Sequence, residues 1–476
     1  MIAGLLLFLA LPLALAGVVY ALRRWGTLSS LLSIGATLAL GIIIVVLPLG
    51  RTVELWDRQI VMGGTLSFLG RELVLEDVDR LAIAVLYLTA AGIFALAWPA
   101  SPRSMLFPVG LGLLSLLSGS LLIRPLIYAV LLAQVAIALS IFALQPEERG
   151  PTRGGLQYLS FSLLALPGLL LSHWLMGRYA LTPDDVALLD ASAVLLALSF
   201  ALLLGSVPFH MWVPSAVSES EPLAGAFILT VNNGAIWFLL LTFLETYPDL
   251  SAYPGFPSLA SIAGLGMVVV GGLLAASQRR LGRLVGYGAL VDSGIALVAL
   301  GMASERGLSL VMLGLLVRPF GVVLMATGLK GLRSLSGGDD SLETLRGLAW
   351  DAPWCTLAFL IGALSLAGVP VTAGFAGRWA LYRALAPTDL GAVLLMMLAT
   401  LGVMIGVWRA LSVLLAHPEP ADDAAGPAQR EGAAPAWLMA GLVVSAAAAS
   451  IAVGLFPQLL SPTALRLASL YTFLGP

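Results

Sequence analysis

Long apolar runs, separated by short clusters of glycine, proline and charge, fill almost the whole chain. They are apolar on every face, without the one-sided stripe of a surface helix or the strict alternation of a half-buried strand. A run of roughly 20 apolar residues crosses the hydrocarbon core of a bilayer as a helix. About fourteen such spans are predicted, at 2–21, 27–49, 79–99, 104–122, 124–145, 156–177, 184–206, 222–246, 258–277, 284–303, 307–330, 353–384, 389–416 and 435–457. A last apolar stretch, 460–474, is too short and too interrupted to count as another. In lipid only helices and closed barrels satisfy their own backbone, and these runs lack the short alternating segments of a barrel. The expected fold class is an all-α polytopic membrane protein.

Composition points the same way. The chain is 59% hydrophobic and 11% charged, whereas a soluble domain is about a quarter charged. Its formal net charge is −2, and no basic cluster suits a nucleic acid. The single cysteine, Cys355, excludes an internal disulfide or a thiolate metal site. Three scattered histidines, His173, His210 and His417, argue against an internal metal or haem site. No phosphate loop or nucleophile set is present, so no cofactor and no catalytic chemistry are expected in this chain. The first run has no positively charged start and is followed by another span after Arg23 and Arg24, as a retained helix rather than a cleaved signal would be.

Orientation follows from the cations. With the N-terminus outside, the inner loops hold Arg23, Arg24, Arg103, Arg149, Arg153, Arg279, Arg280, Arg283, Lys330, Arg333 and Arg346. The outer loops then hold the thinner set Arg51, Arg58, Arg71, Arg124, Arg178 and Arg306. The segment Arg51–Arg80 is long enough for a small hairpin outside the membrane, and His417–Glu431 reads as a solvated inner loop.

Two spans carry a proline interruption at similar depth. The seventh ends in Val207-Pro208-Phe209, and the twelfth contains Gly368-Val-Pro370. They lie five spans apart, so they run in opposite directions, which is the pattern of inverted five-helix repeats with broken helices. The plainer alternative is that proline and glycine are simply common in membrane helices. The expected division is 1–99 for three N-terminal helices and an outer loop, 100–250 and 251–416 for the two repeats, and 417–476 for an inner loop and C-terminal helix.

The same segments carry a resemblance. Leu364-Ser-Leu-Ala-Gly-Val-Pro-Val-Thr-Ala-Gly-Phe-Ala-Gly-Arg378 resembles the twelfth-helix motif of the antiporter-like subunits of respiratory complex I. Pro208-Phe-His-Met-Trp-Val-Pro214 resembles the family's loop after the seventh helix, and Arg283-Leu-Val-Gly-Tyr-Gly-Ala-Leu-Val-Asp-Ser-Gly294 its tenth helix. Gly347-Leu-Ala349, with Pro353 after it, fits as well. The motifs fall in order over nearly the whole chain, closest to the quinone-proximal subunit (the N, or subunit 2, type). Subunits of cation antiporters and membrane-bound hydrogenases share the fold.

The resemblance implies a proton relay of four buried ionisable groups: a glutamate on helix five, lysines on helices seven and eight, and a lysine or glutamate on helix twelve. In this chain those places fall on Gln134, Leu203, Asn232 and Arg378. Three are neutral, and arginine does not give up its proton in a protein. The only lysine, Lys330, belongs to the inner end of helix eleven, beside 23 arginines elsewhere.

Asp292 and Arg318, on neighbouring predicted helices, are expected to pair, because an unpaired charge in the membrane is costly. The pair is either a static lock between helices or a proton-exchanging carboxylate. Arg378 is either a fixed cation on an ion path or a side chain snorkelling to the outer interface. Asn232 and Asn233 suit interhelical hydrogen bonds. His210 is placed at the inner interface with Trp212 as an aromatic anchor, and Glu219 and Glu221 as solvated loop residues. The proton-path candidates are therefore Asp292, Arg318, Arg378, His210, Gln134 and Asn232.

Together these readings describe an antiporter-like membrane-arm subunit of a quinone-reducing, proton-translocating complex, with a degenerate proton pathway. Expected partners are other membrane-arm subunits and the lipid of a bacterial inner membrane, with redox cofactors only on the partner subunits. A purely structural spacer, or a subunit of a cation antiporter, hydrogenase or inorganic-carbon transport complex, are the alternatives.

Overall fold

The computed structural model describes residues 2–3, 5–46, 52–55, 58–61, 65–68, 70–145, 152–417 and 436–474. Most of the expected inner loop after His417 therefore lies outside the described residues. The helices are α1 (Leu5–Ala21), α2 (Gly26–Val46), α3 (Asp77–Ala97), α4 (Leu106–Leu122), α5 (Leu126–Leu144), α6 (Arg153–Tyr179) and α7 (Val186–Leu204). After them come α8 (Trp212–Ser218), α9 (Pro222–Phe227), α10 (Asn233–Thr246), α11 (Pro248–Ser251), α12 (Phe256–Ser277), α13 (Leu281–Leu300) and α14 (Glu305–Leu335). The last are α15 (Pro353–Ala367), α16 (Phe375–Leu385), α17 (Leu390–Leu414), α18 (Ala436–Leu455) and α19 (Ser461–Ser469).

Eleven helical segments among the described residues are long and apolar enough to cross a membrane, and the shorter apolar helices α1, α4 and α15 complete the fourteen expected spans. The stretch after the last span forms the nine-residue α19, which packs against α14 rather than crossing. The segment before α3 contains two antiparallel hairpins, Thr52–Leu55 with Arg58–Val61 and Thr65–Phe68 with Arg71–Val74. Ile123–Arg124 adds an edge to the second.

Both expected helix breaks are present, but neither begins at its proline. α7 stops at Gly205 (φ 70°, ψ 39°) and α15 at Gly368 (φ 67°, ψ 38°). A left-handed residue after the last turn ends a helix, and glycine takes that conformation without a steric cost. Space reinforces the choice: a Cβ on Gly205 would lie 2.6 Å from Val213, and one on Gly368 would lie 2.4 Å from the Arg378 side chain. Pro208 and Pro370 follow within the breaks and keep the chain from re-entering the same helix. The chain resumes as a 3-10 turn, Phe209–Met211, leading into α8, and as α16.

The broken helices define two inverted five-helix repeats. The first comprises α4, α5, α6, the α7–α8 pair and the α9–α10 pair; the second comprises α12, α13, α14, the α15–α16 pair and α17. Inside the second repeat α12 packs on α13 and α17, and α14 on α15. Gly264 and Gly294 meet so closely that a methyl on either would sit 2.5–2.6 Å from the other's carbonyl oxygen. Membrane helices lack a hydrophobic drive to associate, so such close approach supplies much of their packing energy.

A polar clamp ties the end of α14 to the start of α13 and the end of α8. Arg333, at the end of α14, donates to the carbonyls of Ser220 (2.9 Å) and Ser218 (2.6 Å), and to the Asp340 carboxylate (2.6 Å). Asp340 also accepts from the Gly282 amide (3.0 Å) in the first turn of α13, where a carboxylate meets unpaired N–H groups and the positive helix end. Lys330 pairs with Glu221 at 3.1 Å, and Ser104 donates to the same carboxylate at 2.7 Å. Glu219 accepts from the Gly154 amide at 2.8 Å and caps α6. Glu219 and Glu221 thus join helices instead of standing free in solvent.

Candidate functional site

Among the described residues, each repeat contains a small cavity lined by its second, third and fourth helices. In the first, residues from α5, α6, α7 and α10 surround about 10 Å³; in the second, residues from α13, α14, α15, the break and α16 surround about 40 Å³. The helix pair α5–α6 of the first repeat stands where α13–α14 stands in the second. Across α5–α6 the contact is neutral: Gln134 Nε2 donates to Ser162 at 3.2 Å. Across α13–α14 it is ionic: Arg318 Nε donates to Asp292 Oδ2 at 2.8 Å. The second and third helices of each repeat are thus bridged by a neutral contact in the first half and by an ion pair in the second.

The second cavity holds a cluster of three charged side chains. Arg318 and Arg378 are 3% and 5% exposed. Asp292 lies between them, accepting from Arg318 on Oδ2 and from Arg378 Nη2 on Oδ1 at 3.5 Å. Arg318 Nη1 also donates to Asn233 Oδ1 at 2.6 Å, which links α14 to α10 of the first repeat. Local sequence explains the placement. Gly368 halts α15, the break returns the chain at Phe375, and Arg378 then falls in the first turn of α16 with its side chain packed back on Gly368. Arg378 is thereby a buried cation, and the snorkelling alternative fails.

The first cavity is mostly apolar. Leu203 lines it with Gln134, Ser162, Leu166, Ile236 and Leu239. Leu203 is itself buried, as the last turn of α7 requires. A volume near 10 Å³ is about the minimum for one water molecule. Asn232 lies outside this lining. It closes a π-helical turn, Ile228–Asn232, between α9 and α10, and is 0% exposed. Isolated π turns in α-helices concentrate at functional sites. Both side-chain amide atoms of Asn232 lack a hydrogen-bond partner, although the Tyr158 hydroxyl approaches them.

Of the six sequence candidates, the structure brings together Asp292, Arg318 and Arg378. Gln134 stands in the other cavity, while Asn232 and His210 line neither. His210 sits in the 3-10 turn after the first break. Trp212 is fully buried and stacks on Tyr158 at 4.3 Å between ring centroids, so it is a core residue and not an interfacial anchor. Sequence reasoning missed Ser162, Ser365 and the π turn. No local signal marks them, because serine is common in membrane helices and a π turn arises from packing.

Comparison with known proteins places these features. A family model described as NADH:quinone oxidoreductase/Mrp antiporter, TM, matches residues 158–406, more than half of the 476 residues. NADH-quinone oxidoreductase subunit N of Cereibacter sphaeroides is 30% identical over 408 residues, covering 82% of this chain and 86% of that protein. Matches to four other subunit N sequences span 45–67% of those proteins' own length. The fold superimposes on a chain of the Mrp complex from a Dietzia species with a TM-score of 0.81, at 20% identity over 99% of both chains. It superimposes on a chain of respiratory complex I from Thermus thermophilus with a TM-score of 0.72, at 21% identity over 98% of this chain and 99% of that one.

Proposed function

Since the chain belongs to the NADH:quinone oxidoreductase/Mrp antiporter family of membrane subunits, we propose that it is an antiporter-like membrane-arm subunit of a quinone-reducing respiratory complex whose first repeat does not carry protons. In this reading it sits in the bacterial cytoplasmic membrane with its N-terminus outside, divided at 1–99, 100–250, 251–416 and 417–476. Neighbouring membrane-arm subunits flank it. Electron transfer and its cofactors belong to partner subunits.

One observation carries the reading. The family's relay places in the first repeat are occupied by Gln134, Leu203 and Asn232, and Leu203 walls a cavity of about 10 Å³. A relay lysine works by binding a proton that a neighbouring charge then expels. Neither an amide nor an aliphatic side chain can do this, and so small a cavity cannot hold the chain of water that would bypass them. In the second repeat, Asp292 is the lone carboxylate among the residues lining the larger cavity, and any proton exchange there falls to it.

The test is made on the purified native assembly, reconstituted in vesicles. Gln134→Ala and Asn232→Ala are expected to leave the ions moved per turnover unchanged. A fall equal to one channel, with normal subunit content, would overturn the claim of an inactive first repeat. Flavin and iron–sulfur absorbance in the assembly is expected as well, and its absence would overturn the respiratory assignment.

A further inference from the structure

We infer that the cavity between Asp292, Arg318 and Arg378 binds a small monovalent inorganic anion of chloride size. The charge count comes first. Among the described residues lining the cavity, two guanidiniums face one carboxylate, which leaves one surplus positive charge. Both arginines are more than nine-tenths buried. Arginine cannot shed its charge by losing a proton, and a buried charge without a counter-charge is strongly destabilising.

The hydrogen-bond count agrees. Asp292 engages Arg318 Nε and Arg378 Nη2, and Asn233 engages Arg318 Nη1. Arg318 Nη2, Arg378 Nε and Arg378 Nη1 remain as buried donors without an acceptor. Both cations line the cavity, and an acceptor bearing negative charge seated between them would satisfy donors that are otherwise unpaired.

The backbone adds to the same field. Ala373, Gly374 and Gly377 belong to the cavity wall, so the start of the 11-residue α16 abuts it. The positive end of the helix dipole favours an anion there, although the Gly374 and Phe375 amides already donate to Ser365 Oγ and the Thr372 carbonyl. Size limits the choice. A cavity near 40 Å³ has room for about three waters at the minimum volume each requires. A halide or a planar ion such as nitrate fits that space. Sulfate and phosphate are larger, and their second charge would overshoot the single surplus cation.

The experiment uses the purified whole assembly. Thermal stability is measured in sodium chloride, bromide and nitrate against sodium gluconate at equal ionic strength, and bromide is located by its anomalous signal. The expected results are a rise in melting temperature that saturates with chloride, bromide and nitrate but not with gluconate, and a bromide peak between Arg318 and Arg378. Arg378→Gln, which removes the surplus charge, is expected to raise the half-saturating chloride concentration by at least about tenfold, the scale expected for losing charge-assisted hydrogen bonds. Arg378→Lys is expected to retain part of the response. Equal stability in chloride and gluconate with no bromide peak in the unsubstituted assembly would overturn the proposal. So would a carboxylate of a neighbouring subunit seated between the two arginines. The bromide measurement needs no variant and stands even where Arg378→Gln fails to assemble.

Discussion

Arg318 Nη1 donates to Asn233 Oδ1 at 2.6 Å, and this bond joins the charged site of the second repeat to the helix that follows the π turn of the first. Asn233 is 3% exposed, so neither partner can turn to water. Through Asn233 the position of α10 and the alignment of the Asp292–Arg318 pair depend on each other.

Replacing Asn233 with leucine keeps the volume but leaves Arg318 Nη1 buried without an acceptor. The expected cost is about 1–3 kcal/mol, read as a lower midpoint in thermal unfolding of the purified assembly. Asn232→Leu, which disturbs at most an approach to the Tyr158 hydroxyl, is expected to cost less. The reverse order would show that Asn232 is the more tightly engaged of the two.

Asp292 is the keystone of its cluster, because it separates two cations. Asp292→Asn leaves Arg318 and Arg378 facing each other without a carboxylate, and is expected to destabilise by about 3–5 kcal/mol, as breaking a buried pair does. Arg318→Met leaves Asp292 paired with Arg378 and is expected to cost less. Adding Arg378→Gln to Asp292→Asn removes a surplus cation and should recover part of the loss. A double-mutant cycle on unfolding midpoints measures the coupling. Additive losses would contradict the three-residue arrangement.

The helix stops should be intolerant of any side chain. Gly205→Ala and Gly368→Ala each force a left-handed backbone on alanine and push a Cβ to 2.6 Å or 2.4 Å from a neighbour. Each is expected to cost upwards of about 1 kcal/mol and to lower the yield of assembled complex. Gly266→Ala, mid-helix in α12 with open space around its Cβ, should be neutral or stabilising by up to about 1 kcal/mol. Equal behaviour of all three would refute the account of the breaks.

Orientation is checked with cysteines placed in a Cys355→Ser background. Ser336→Cys lies just past the inner end of α14 in the N-terminus-outside arrangement, and Thr182→Cys lies between α6 and α7 on the opposite side. In intact cells a membrane-impermeant maleimide is expected to label position 182 and spare 336. The opposite pattern would invert the topology.

The sequence by itself determined the membrane class, the number of spans, the places of the two breaks and the neutral residues Gln134, Leu203 and Asn232 in the first repeat. Each of these depends on local chemistry. A run of apolar residues must span, a glycine–proline pair must interrupt, and a leucine cannot bind a proton wherever it sits. Asp292 and Arg318 could be paired in advance because two charges at similar depth on adjacent helices have few cheaper partners. Tertiary structure alone decided the rest. Arg378 became the third member of the charged cluster because the break sets α16 beside α14 and packs the Arg378 side chain on Gly368. Asn233, and not its neighbour Asn232, took the hydrogen bond to Arg318, because successive helical residues face different sides and only Asn233 meets α14 there. Trp212, Glu219 and Glu221 left the surface for packed or paired positions because the segment after α7 folds against the start of α6 and the end of α14. In a chain apolar on every face, periodicity does not show which side of a helix meets protein and which meets lipid, so these contacts depend on packing between distant segments.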